Sequence, residues 1–256
     1  MKQKYIKKLV SESAYVLAAK VLAVLLGLVF NIIVARKYGS ELVGILALVN
    51  SFFVITLIPS AFGFQTSILR FIPEYEQKYS PKVAIGILKK IFAIVLINSV
   101  IVGILTFTFS SAIASYVFKG DDLSWIILTA SVVLVFQALS TISQSSIRAF
   151  KYIKVFSLNT LVLPILNVLI ITILASVSNS EFNPIYTTFI SLTLSSVFSL
   201  IVIRNILRKH DIQSDKSRHK VKLIDLMRIS TPICIAASVG VVVTQTDILM
   251  IGLFLS

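Results

Sequence analysis

Residues 14–35 form an unbroken apolar run whose one charge is Lys20. As a helix rising about 1.5 Å per residue, such a run reaches roughly 33 Å, enough to cross a hydrocarbon core of about 30 Å. Lys2, Lys4, Lys7 and Lys8 precede it, as they would in a secretory leader. A leader, however, has an apolar stretch of only about 7 to 15 residues and ends at a small-residue cleavage site. Here the run ends on Ala-Arg-Lys-Tyr-Gly, so it reads as a membrane span.

Six more apolar segments follow, at about residues 42–64, 91–115, 123–144, 155–177, 184–203 and 232–253. Only helices and closed barrels satisfy their backbone groups in lipid, and barrel strands are alternating segments of about 10 residues. The expectation is an all-α polytopic membrane bundle of about seven transmembrane helices. With 57% hydrophobic and 14% charged residues and a mean hydropathy of +0.95, the chain has too little polar surface for a soluble globule. Cys234 is the one cysteine, and His210 and His219 share a polar segment without it, so neither a metal nor a cofactor is expected.

The net charge of +13 would fit nucleic acid in a soluble protein, but its placement follows membrane topology instead. Lys and Arg crowd into the N-terminal tail and the second, fourth and sixth connections, whereas the opposite side holds only Arg36, Lys37 and Lys119. Cytoplasmic loops carry such an excess, which predicts a multi-pass protein of the cytoplasmic membrane with its N-terminus inside. Nucleic acid is not an expected partner; membrane lipid is. The outer connections, near residues 36–41, 116–122 and 178–183, are too short to hold a catalytic domain. The longest inner one, residues 204–228, reads as a solvated basic loop at an anionic membrane surface, and its VKLIDLMRIS end as an interfacial amphipathic helix.

The last span echoes the first. KKLVSESAYV aligns with IDLMRISTPI, and FNIIVARKYGS with TDILMIGLFLS, which places Asp247 where Asn31 stands. Six helices precede the copy, so it crosses in the same direction, as in parallel-repeat transporters. The expected organisation is a six-helix lobe over residues 1–228 and the first helix of a second lobe over residues 229–256, the chain being a fragment of a longer protein.

Charges in hydrocarbon are costly, so Lys20 and Asp247 are the first places to look for a site. Lys20 either faces a cavity or snorkels to the headgroups, and Asp247 either couples to a cation or reaches the outer surface. Lys20, Gly27 and Asn31 fall within about 40° on one helix face. Gln137, Ser140, Thr141 and Gln144 make a second stripe, Thr188, Ser191, Ser195 and Ser199 a third, and Thr160, Pro164 and Asn167 a fourth. Hydroxyl stripes are routine packing positions between membrane helices. The glutamines demand more, because each amide has four hydrogen-bonding sites to satisfy.

Four runs together carry a family resemblance: AKVLAVLLGLVFNIIVARKYGSELVGILAL, GFQTSILRFIPEYE, SSIRAFKYIKVFSLNTLVLPILNVLI and RISTPICIAASVGVVVTQTDILMIGLFLS. The chain resembles the polysaccharide exporters of the multidrug/oligosaccharidyl-lipid/polysaccharide superfamily, the O-antigen and teichoic-acid type flippases. The resemblance implies two six-helix lobes around a central cavity and alternating-access translocation of a lipid-linked oligosaccharide, with no enzymatic activity. It makes Lys20 a cavity cation, Gln137 and Gln144 sugar contacts, and Asn31 and Asp247 further substrate-binding positions. Arg36, Arg70 and Arg148 match recurrent arginines of the family, to contact diphosphate or headgroups. Lipid II flippases carry an arginine and an aspartate where this chain has Phe30 and Asn31, which argues against a peptidoglycan precursor. The competing readings are a cation-coupled multidrug antiporter of the same fold, drawing on an ion gradient, and a nonfunctional fragment.

Overall fold

A computed structural model describes residues 2–117, 124–178, 180–212 and 223–255. Side chains are described over residues 11–115, 124–178, 180–209, 226–228, 230–241 and 243–246. These residues form an all-α bundle, and no strand occurs among them. The helices are α1 (Lys2–Tyr38), α2 (Ser40–Ala61), α3 (Phe64–Lys78), α4 (Pro81–Thr108) and α5 (Ser110–Val117). They continue as α6 (Ser124–Ala149), α7 (Ile153–Val177), α8 (Asn183–Ile212) and α9 (Leu223–Leu255). Seven of them, all except α3 and α5, are long and apolar enough to cross a membrane.

Two of the expected spans shift for identifiable reasons. The apolar run at residues 42–64 breaks because Phe62 and Gly63 both take left-handed backbone, φ 48° and 69°, which ends α2 and turns the chain into α3. Helix α3 is amphipathic and was not distinguishable from a polar connection: Phe64, Ile68, Phe71 and Ile72 are buried while Arg70, Glu74 and Lys78 stay exposed. The third span starts at Pro81 rather than near residue 91, since Lys89 and Lys90 interrupt the apolar run without interrupting the helix. Ser80 caps that helix by accepting from the Val83 N–H at 3.4 Å, and Pro81 occupies the first turn, where a missing N–H costs nothing. The same span ends at Thr108, and α5 takes up the remainder separately. The VKLIDLMRIS segment is likewise continuous with the last span: α9 runs helical from Leu223, and Leu226 is buried. Its first two residues, with His219, lie outside the described residues.

Helix α6 is the axle of the bundle. It packs against α2, α4, α7 and α8, which with α1 close a ring in the order α1, α2, α4, α8, α7. Helix α9 lies against α2 and α3 outside that ring. Burial follows position: more than half of the central apolar window of α6 is buried, against 11% for α1 and 6% for α7. Apolar residues exposed on α1, such as Leu17, Val24 and Leu28, face the surroundings of the bundle, which in a membrane are lipid.

Two apolar layers stack along the axle. One, at the basic end where α2 meets α3 and α6 meets α7, joins Phe64, Phe71, Leu88, Ile91, Ile142 and Ile147. The other, toward the far end, joins Phe30, Phe53, Ile127, Leu134, Ile171 and Phe189. Between them the sequence turns polar on four helices at once: Ser99 on α4, Gln137 and Ser140 on α6, Asn159 on α7, and Ser195, Ser196 and Ser199 on α8. The bundle thus carries a polar belt near mid-height.

Candidate functional site

The belt is bonded across three helices. The Ser199 hydroxyl accepts from Asn159 Nδ2 at 2.9 Å and from Ser140 Oγ at 3.3 Å, and its own proton is placed between the Ser195 carbonyl (2.9 Å) and Asn159 Oδ1 (3.2 Å). Gln144 Nε2 donates to Ser140 Oγ at 3.4 Å, extending the chain of bonds toward the basic end. Ser140, Asn159 and Ser199 are buried, and Gln144 is half-buried. Sequence stripes displayed Ser140, Gln144 and Ser199 on their own helices. Asn159 lies off the α7 stripe of Thr160, Pro164 and Asn167, and one helix cannot reveal which face meets its neighbour.

The Asn159–Ser199 bond also fixes the antiparallel register of α7 and α8, and that register puts Asn167 level with Ser191, with Thr187 one turn farther out. Asn167 Oδ1, Thr187 Oγ1 and Ser191 Oγ are buried and have no hydrogen-bond partner among the described residues. Removing a bonded group and removing an unbonded one therefore have different expected costs. Asn159→Leu strips the amide that holds Ser199 and lowers stability by about 1 kcal/mol, whereas Thr187→Val stays within about 0.5 kcal/mol of wild type. Thermal unfolding of the purified chain in detergent checks this, and equal losses in the two variants would contradict it.

The remaining sequence-predicted residues lie apart from the belt. Lys20 and Asn31 are exposed on α1, which packs on α7 and α2, and Lys20 makes no hydrogen bond or ion pair with any described residue. Gln137 belongs to the belt by position and is half-buried; its side-chain amide likewise has no described partner. Arg36 is exposed at the far end of α1. Arg70 lies on α3, with Nε 3.4 Å from Glu74 Oε2 and both side chains largely exposed, the kind of pair that contributes little to stability. Arg148, also exposed, stacks its guanidinium 5.0 Å from the centre of the Phe156 ring. The Asp247 side chain lies outside the described residues, although α9 passes through that position.

A cleft that no stripe marked opens between α1 and α7 toward the basic end. It has a volume of about 290 Å³ and is lined by Tyr15, Ala18, Ala19, Leu22, Lys154 and Ser157, among others. Lys154 Nζ sits 5.0 Å from the centre of the Tyr15 ring. Lys20 stands between Ala19 and Leu22 in the sequence but does not line the cleft; it lies on another face of α1. No group of three or more His, Cys, Asp or Glu with metal-binding geometry exists among the described residues.

The family model described as polysaccharide biosynthesis protein matches residues 9–256. The chain belongs to the polysaccharide biosynthesis protein family. No curated protein and no solved structure matches it significantly. As a member of this family it is a multi-pass membrane protein on the route of polysaccharide precursors across the membrane, and proteins of this family are generally exporters rather than enzymes. The polysaccharide biosynthesis family thereby supplies the class of cargo, and the helices supply the medium in which it is handled.

Proposed function

We propose that the chain carries a lipid-linked oligosaccharide, borne on a polyprenyl diphosphate, from one leaflet of the cytoplasmic membrane to the other by alternating access. The observation that most supports this reading is the polar belt of Gln137, Ser140, Asn159 and Ser199 held near mid-height between two apolar layers. Sugars need amides and hydroxyls at the level where lipid offers none, and a diphosphate needs a cation. Lys20 is the cation of choice, Gln137 and Gln144 turn toward the sugar, and Asn31 and Asp247 complete the substrate positions. Arg36 and Arg148, near the ends of α1 and α6, and Arg70, midway along α3, contact diphosphate or headgroups. In this reading the N-terminus is cytoplasmic, residues 1–228 form one lobe and residues 229–256 begin a second, and an ion gradient drives the cycle.

The test is transport itself. The purified chain is reconstituted into vesicles with a fluorescent short-chain prenyl diphosphate oligosaccharide, and the fraction exposed to a membrane-impermeant quencher is followed in time. Faster equilibration between leaflets than in protein-free vesicles is expected. Equal rates, or acceleration only for cationic drug-like molecules under an imposed ion gradient, would remove the flippase reading.

A further inference from the structure

On the ring, α4 and α8 lie opposite α1 and meet only over a short stretch. The gap they leave is a groove of about 480 Å³ lined by Ile85, Lys89, Phe92, Leu200, Ile203, Arg204, Leu207 and Arg208. Its walls are ordered by chemistry. Lys89, Arg204 and Arg208 are exposed, no acidic residue lines the groove, and none of the three forms an ion pair among the described residues. Phe92 and Leu200 lie three and four residues farther into the span than Lys89 and Arg204, about 5 Å along each helix. Ile203 is buried behind them. Ile85 and Leu207 line the groove on the basic-end side of Lys89 and Arg204, and Phe92 and Leu200 line it toward the middle of the membrane, so the three cations sit near the basic end with apolar wall on either side.

We infer that this groove holds an anionic phospholipid, its phosphodiester between Lys89, Arg204 and Arg208 and one acyl chain along Phe92, Leu200 and Ile203. Two guanidinium forks can hold phosphate oxygens in paired hydrogen bonds, and an ammonium adds a compact third charge. Basic pockets between membrane helices at the cytoplasmic face are suited to such headgroups. A free phosphate would use the three cations and leave the apolar wall uncovered, whereas a phospholipid uses both. The groove faces away from Lys20 and from the α1–α7 cleft, so its occupant is a resident lipid on the outside of the ring, independent of the transport reading.

The test uses the whole chain in nanodiscs of phosphatidylcholine containing a minor fraction of phosphatidylglycerol, with retained lipids counted by native mass spectrometry. The variant Lys89→Gln/Arg204→Gln/Arg208→Gln is compared with Lys78→Gln/Lys151→Gln/Lys154→Gln, which removes the same charge from the same end outside the groove. The groove variant is expected to hold phosphatidylglycerol about tenfold more weakly than either the control or the wild type, with phosphatidylcholine unchanged. Arg204→Lys, which keeps the charge and the fold but loses the fork, is expected to fall between them. Equal retention in the two triple variants overturns the inference. So does displacement of the lipid by inorganic phosphate alone, or by a prenyl diphosphate, which would assign the groove to substrate.

Discussion

Replacing Gly63 by alanine is expected to lower the stability of the bundle by about 2 to 5 kcal/mol, a large part of the stability of an ordinary protein. Two costs add. At φ 69° the residue sits in left-handed backbone, which an L side chain adopts at a cost of roughly 1 to 2 kcal/mol. A Cβ there would also stand 2.8 Å from both the Cys234 backbone nitrogen and the Ser230 carbonyl oxygen, so backbone on α9 has to move. Overpacking of this kind costs about 1 to 3 kcal/mol further. Gly44 on α2 is the matched control: a Cβ there meets nothing within 4 Å, and in a helix interior Gly44→Ala is expected to stabilise by about 0.5 to 1 kcal/mol. Thermal unfolding in detergent reads both, and an unaltered midpoint for Gly63→Ala would show that α9 does not rest on that corner.

The second large effect concerns transport. Lys20→Ala is expected to slow the leaflet-to-leaflet movement of a prenyl diphosphate oligosaccharide about tenfold or more, the loss that accompanies removal of one charge-assisted bond to a phosphate. Lys20→Arg keeps a cation on the same face of α1 and is expected to retain most of the rate. The exposure of Lys20 on the open side of α1 makes both variants compatible with folding, since no described residue depends on it for a bond. Undiminished rates in both variants would leave the lysine as a side chain that reaches the headgroups and nothing more.

The spans were legible in the sequence because lipid leaves a chain few options, and apolar length alone reports a crossing helix. What hydropathy could not show was where a helix bends within an apolar run. Phe62 is apolar, so the left-handed pair it forms with Gly63 is hidden inside the segment it terminates. Lys89 and Lys90 misled in the opposite sense: charge ends an apolar window but does not end a helix that Ser80 and Pro81 have already started. The polar positions divide in the same way. Stripes at helical spacing exposed Ser140, Gln144 and Ser199, but the Asn159 that bonds Ser199 comes from α7, and a bond between helices has no signature in either helix alone. In sequence the groove cations Lys89, Arg204 and Arg208 read only as part of the basic connections, and it is the adjacency of α4 and α8 that gathers them into one place.

The attachment of α9 has a mechanical consequence. At the basic end its backbone is seated against Gly63, and Ser230 Oγ donates to Ser67 Oγ at 2.9 Å; about midway along α2, Ser51 Oγ donates to Gln245 Oε1 at 2.8 Å. Sliding α9 along its own axis would drive its backbone into the space that the missing Cβ of Gly63 leaves open, so the α2–α3 corner sets the height at which α9 sits against the bundle.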